Sequence, residues 1–111
     1  MTAQQGIVYR FFRVDSDHDV STDSLALSLD GVTFSTVGVT YIAPGAYPAS
    51  VAAANSSKPP AAGFTGYWWR VLTGPGQTLP LQRGSQTVYG QLTDSPEVPR
   101  FAWRVSVDSN A

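Results

Sequence analysis

One short run concentrates the groups that could do chemistry: Asp15-Ser16-Asp17-His18-Asp19. Alternate carboxylates there would aim several oxygens at one cation, as at the start of a calcium-binding loop. Such a loop also needs Gly at its sixth position and a bidentate Glu at its twelfth, and those positions hold Val20 and Ala26. His18 is the only histidine, so a nucleophilic triad or a His-based zinc site would have to be built on it. No Ser or Thr is expected to lie against its ring. The run reads as a solvated acidic turn in which Asp and Ser side chains bond to nearby backbone. Glu97 sits in the rigid stretch Ser95-Pro96-Glu97-Val98-Pro99, and no second carboxylate is placed to face it across a cleft. The expectation is a protein that is not an enzyme, with no catalytic, metal-binding or cofactor-binding residues.

The aromatic residues point to recognition. Tyr67-Trp68-Trp69-Arg70 lies in a strand-like segment, and adjacent strand residues face opposite ways. One Trp therefore fills the core. The other lies on the outer face, where a partner or a long loop would cover it. Trp, Tyr and Arg are the residues most enriched at binding hot spots. The expected partner-binding set is Tyr67, Trp68, Trp69 and Arg70, with Tyr47, Pro59 and Pro60 from the long loop. The same aromatics would also serve as a sugar-stacking platform, so a carbohydrate-binding module is the alternative from another class.

The elements that must hold these residues are strands. Ile7–Val14 is rich in β-branched and aromatic residues on both faces, so it is expected to be covered on both. Leu25, Leu27 and Leu29 alternate with smaller residues, and Asp30-Gly31 follows before Val32 and Phe34, which predicts a hairpin with a two-residue loop. The alternation changes phase between Phe34 and Val37, predicting a bulge or bend at residues 35–38. Residues 43–63 are rich in Ala, Ser and Pro and read as a long excursion with one helical turn near Ser50–Ala54. Tyr67–Leu72, Val88–Leu92 and Phe101–Val107 alternate cleanly. Leu79 and Leu81 flank Pro80, which suits an edge strand or a strand entry. Gln82-Arg83-Gly84 and Asp94-Ser95-Pro96 are read as turns. No segment carries a sustained helical period, so almost no helix is expected.

These readings give an all-β, immunoglobulin-like antiparallel sandwich of about six to eight short strands in one domain, residues 1–111. Residues 1–6 form an N-terminal arm and residues 43–63 a long loop. Composition narrows the function further. Charged residues make up 14% of the chain, the net charge is −1, and there is a single Lys (Lys58) and a single Glu (Glu97). Lys and Glu are the residues depleted at interfaces, so a good part of the surface is expected to be neutral or covered by partners. The scattered Arg residues form no basic footprint for nucleic acid. Without Cys there is no disulfide framework. The polar start Met1–Gly6 lacks the regions of a signal peptide, and no apolar run is long enough to cross a membrane. A soluble protein made in a cytoplasm is expected.

The second half carries a pattern. Leu79-x-Leu81-x-x-Gly84 leads to Thr87-Val88-Tyr89-Gly90-Gln91-Leu92-Thr93-Asp94-Ser95-Pro96-Glu97-Val98-Pro99 and then to Arg104-Val105-Ser106-Val107. It resembles the closing strands of an immunoglobulin-like sandwich. More narrowly, it is similar to small virion proteins of tailed bacteriophages that infect actinobacteria, over Tyr67–Val107. The resemblance implies a structural role in the virion, as a capsid decoration or minor capsid protein bound to the major capsid protein, and oligomerised on the particle. A head–tail connector or tail component is the variant of the same reading. It implies no catalytic residues.

Overall fold

The computed structural model describes residues 7–82, 84–93 and 98–107. The expected arm 1–6, Arg83 and the turn Asp94–Glu97 lie outside the described residues. Six strands form: β1 (Val8–Ser16), β2 (Ser24–Ser28), β3 (Thr40–Ile42), β4 (Thr65–Thr73), β5 (Gly84–Thr93) and β6 (Arg100–Val107). They build two antiparallel three-stranded sheets, ordered β1-β4-β3 and β2-β5-β6. Those orders match the B-E-D and C-F-G sheets of the immunoglobulin plan, taken strand by strand along the chain. The expected sandwich is thus the observed one.

The period-two pattern decides what each sheet buries. Phe12 and Val14 of β1 face inward with Trp69 and Val71 of β4. They meet Leu25 and Leu27 of β2, Val88 and Leu92 of β5, and Val107 of β6. Trp69 is 2% exposed and sits edge-on to Tyr41, centroids 5.4 Å apart. Trp103 ties the sheets together: its ring lies 5.0 Å from Phe12, and its indole N–H donates to the Arg13 carbonyl at 3.1 Å. This needs Gly90, since a Cβ there would come within 2.5 Å of the Trp103 ring.

The loops depart from the sequence reading in three places. The hairpin after β2 has no two-residue loop, and Val32–Phe34 is not a strand. Asp30 is the cause. Its Oδ1 accepts the N–H groups of Val32 and Thr33, each at 2.8 Å, and the Ser28 hydroxyl at 2.6 Å. This side-chain competition opens a wider turn, closed by a single Leu27–Ser35 bridge. Those three donors hold the Asp30 carboxyl down at about 2. The phase change at residues 35–38 is a tight turn, with Gly38 at φ 72° and the Val39 N–H on the Thr36 carbonyl.

Leu79–Pro80–Leu81 is not a strand either. Both leucines are buried, and Leu79 makes one parallel bridge with Thr73. The third departure is a helix, α1 (Ala49–Ser57), nine residues where one turn was expected. Ala49, Ala52, Ala53 and Ala54 favour it. Only Val51 is buried, with Asn55 four residues on along the same face, so no apolar period announced it. A helix this short is marginal alone, and packing on the sheet holds it.

Candidate functional site

The acidic run closes β1 and turns toward β2. Its groups are taken up one by one. Asp15 pairs with Arg13, Oδ1 to Nε 2.9 Å. Asp17 Oδ1 lies 2.9 Å from His18 Nδ1, and Asp19 Oδ1 accepts the Ser21 N–H at 2.9 Å. These bonds lower the carboxyls of Asp17 and Asp19: the His18 ring acts on the first, Ser21 on the second. Among the described residues, no three Asp, Glu or His side chains converge as a metal site would require.

Contrary to the expectation that no Ser lies beside His18, the Ser16 Oγ is 3.3 Å from His18 Nδ1. The same Oγ accepts the His18 backbone N–H at 3.2 Å. Ser16 and Asp17 thus meet the same ring nitrogen. A proton relay needs the nucleophile on one nitrogen and the carboxylate on the other, and this geometry is that of a turn that caps itself.

The Trp pair takes one of the two expected arrangements, with one Trp in the core and the other under the long loop. Trp68 and Trp69 do face opposite ways, but both are buried, at 7% and 2% exposure. Trp69 fills the core, and Tyr67 points inward beside Tyr41, centroids 6.4 Å apart. Trp68 lies on the outer face under α1, packed with Ile42, Val51, Phe11 and Tyr47. The long loop covers it, not a partner. The three aromatics therefore form no common stacking platform for a sugar. Tyr47 is half-buried in the same cluster. Pro59 is exposed and Pro60 half-buried beyond the helix. Arg70 alone of the strand set is fully at the surface.

The helix is held by polar contacts as well as by Val51. Asn55 Oδ1 accepts from Arg13 Nη1 and from the Trp68 indole N–H, each at 3.4 Å. Arg13 Nη1 also donates to the Lys58 carbonyl, and its guanidinium lies over the Trp68 ring, 5.9 Å from the centroid. Gly66 makes room for this, with Arg13 and Asn55 atoms crowding its α-carbon.

The rest of that face is open. The register sets Tyr9 opposite Leu72 and Phe11 opposite Arg70, all on the outer side of β1 and β4. Arg70 lies over the Tyr9 ring at 4.9 Å, and Tyr9 is 52% exposed. The neighbouring Ile7 and Val8 are exposed too. This bare half of the β1-β4-β3 outer face is the candidate interaction surface, and the sequence signal that could have found it was Tyr9 beside the known docking candidate Arg70. Comparison with family models, with curated proteins and with solved structures gives no match for this chain.

Proposed function

We propose that the protein is a structural component of a phage virion, a capsid decoration or minor capsid protein that docks on the major capsid protein. The observation that carries the reading is the split outer face. A low-charge sandwich covers one half with its own helix and leaves Ile7, Tyr9 and Arg70 bare. An aromatic ring with a stacked Arg is hot-spot chemistry. The sequence resemblance over residues 67–107 supplies the virion context. Copies around a capsid symmetry axis would each bind weakly and hold together through multivalency.

Quantitative mass spectrometry of purified particles tests the reading. Copy numbers commensurate with the capsid lattice are expected, and a handful of copies would move the protein to the connector or tail. Absence from particles would overturn the virion role. The docking face is tested by a Tyr9→Ala/Arg70→Ala double variant, expected to lose lattice occupancy by about tenfold or more. Unchanged occupancy would move docking elsewhere on the molecule.

A further inference from the structure

The four outer edges of the sandwich are not alike. β3 has three residues, and β2 has five, with its edge bridged at Leu27 by Ser35. On the other side, β1 has nine residues and β6 eight, and neither pairs outward with another described strand. β1 reads Val8-Tyr9-Arg10-Phe11-Phe12-Arg13-Val14, with strong β formers and no Pro, Gly or Lys. Proteins blunt long edges of this kind unless another chain uses them. In the immunoglobulin plan, a strand A lies beside the strand that β1 represents.

The hydrogen-bonding groups of that edge are aimed outward. The Arg13 carbonyl points away from β4 and is taken by Trp103, while the Val8 carbonyl faces β4 and receives the Thr73 hydroxyl at 2.9 Å. Antiparallel ladders alternate, so Tyr9 and Phe11 direct their N–H and C=O groups outward like Arg13. Beside them lies an open groove of about 430 Å³ between β1, β6 and α1. Arg10 and Arg104 both line it. Arg10 Nε is buried without a hydrogen-bond partner. Arg104 turns its guanidinium away from the groove, over β5, to the hydroxyls of Ser85 and Thr87, and among the described residues Arg10 makes no ion pair.

We propose that the β1 edge accepts an extended segment of a partner polypeptide, which pairs with Tyr9 and Phe11 and sets a carboxylate side chain against Arg10. This is recognition by strand addition, with main-chain bonds giving affinity and alternate side chains giving specificity. Charge selects the occupant. Arg10 is an inward-pointing charge of the kind that discourages neutral pairing at an edge. Pairing of two β1 edges in two copies of this chain would bring like charges together. An acidic strand supplies Arg10 with the ion pair that the described residues do not. The site stands independently of the virion reading, because it specifies a segment chemistry and not a particle.

The test uses the full chain and a short alternating Thr/Val peptide with one central Glu, compared with the same peptide carrying Gln or Lys. With the Glu peptide, amide exchange at Tyr9 and Phe11 should slow, while Arg10 and Phe12, already bonded to β4, should not change. The Gln and Lys peptides should bind more weakly by about tenfold or more, and Arg10→Gln should erase that preference. Tyr9→Pro should abolish binding, since it removes an outward donor without touching the β4 ladder. If that variant is destabilised, the peptide series on the unaltered chain decides. Equal affinity for the three peptides, or no binding at millimolar peptide, would overturn the proposal. So would slow exchange of Tyr9 and Phe11 in the protein alone: if independent of concentration, the chain's own residues fill the edge, and if rising with concentration, a second copy does.

Discussion

The outer face of the β1-β4-β3 sheet has two halves built from the same strands, and they end differently. At the Arg13–Trp68–Ile42 end, α1 lies on the sheet, and Arg13 reaches Asp15, Asn55 and the Lys58 carbonyl. At the Tyr9–Arg70 end no described helix lies above, and among the described residues Arg70 meets the Tyr9 ring. Both halves carry an Arg beside an aromatic residue. What separates them is the supply of polar partners from the 43–63 excursion, above all Asn55. An arginine under a helix must be satisfied by the chain itself, whereas one at the open end stays available. On the proposed reading, the covered half serves stability and the bare half recognition.

The sharpest way to break that contrast is to strip the covered half. Trp68→Ala should cost about 3 kcal/mol, read as a lower urea midpoint together with loss of the helical signal in far-UV circular dichroism. If the helix survives intact, α1 does not depend on the sheet as described. Next is Gly90→Ala on the inner side of the sandwich. Its Cβ would collide with Trp103, and overpacking of that kind costs about 1–3 kcal/mol. The variant should also weaken the Trp103–Arg13 tie, seen as a shifted indole N–H resonance.

Arg70→Ala on the bare half should change stability by less than about 0.5 kcal/mol. A larger loss would mean that the bare half is structural after all, and the division of labour would fail. The smallest expected effect is on pH. The Asp30 carboxyl is depressed by its three donors to about 2. A depressed folded-state value means that its contribution is present above the ordinary carboxylate range near ~3.9 and is lost as pH falls toward about 2. The amide resonances of Val32 and Thr33 should titrate together at that low midpoint. A midpoint in the ordinary range would show that the Asp30 bonds are not made.

Much of the sandwich was legible because strand alternation is local. β4, β5 and β6 each alternate between two faces, and Val88 and Leu92 of the core follow directly, whereas β1 is apolar on both faces and the choice between Trp68 and Trp69 depended on packing. The candidate site was less legible. Arg70 is exposed, as a docking residue must be, whereas Tyr67, Trp68, Trp69 and Tyr47, also expected to meet a partner, pack within the fold. Opposite facing of Trp68 and Trp69 follows from adjacency. Burial of both depends on α1, whose covering face is one Val and one Asn, too sparse to show as a period.

Asp30-Gly31 shows the same limit at a turn. The dipeptide favours a tight hairpin, yet the carboxylate found Val32, Thr33 and Ser28 within reach and bonded to them instead. By itself, then, the sequence determined the strand content, the two-sided nature of β1, the absence of a thiol framework and the residues available to the core. Which side of the sheet α1 covers, which arginines are paired, and that no described strand pairs with the outer edge of β1 all depend on the tertiary structure. The reason is physical: alternation is written into neighbouring residues, whereas coverage depends on contacts between segments tens of residues apart, such as Asn55 with Arg13.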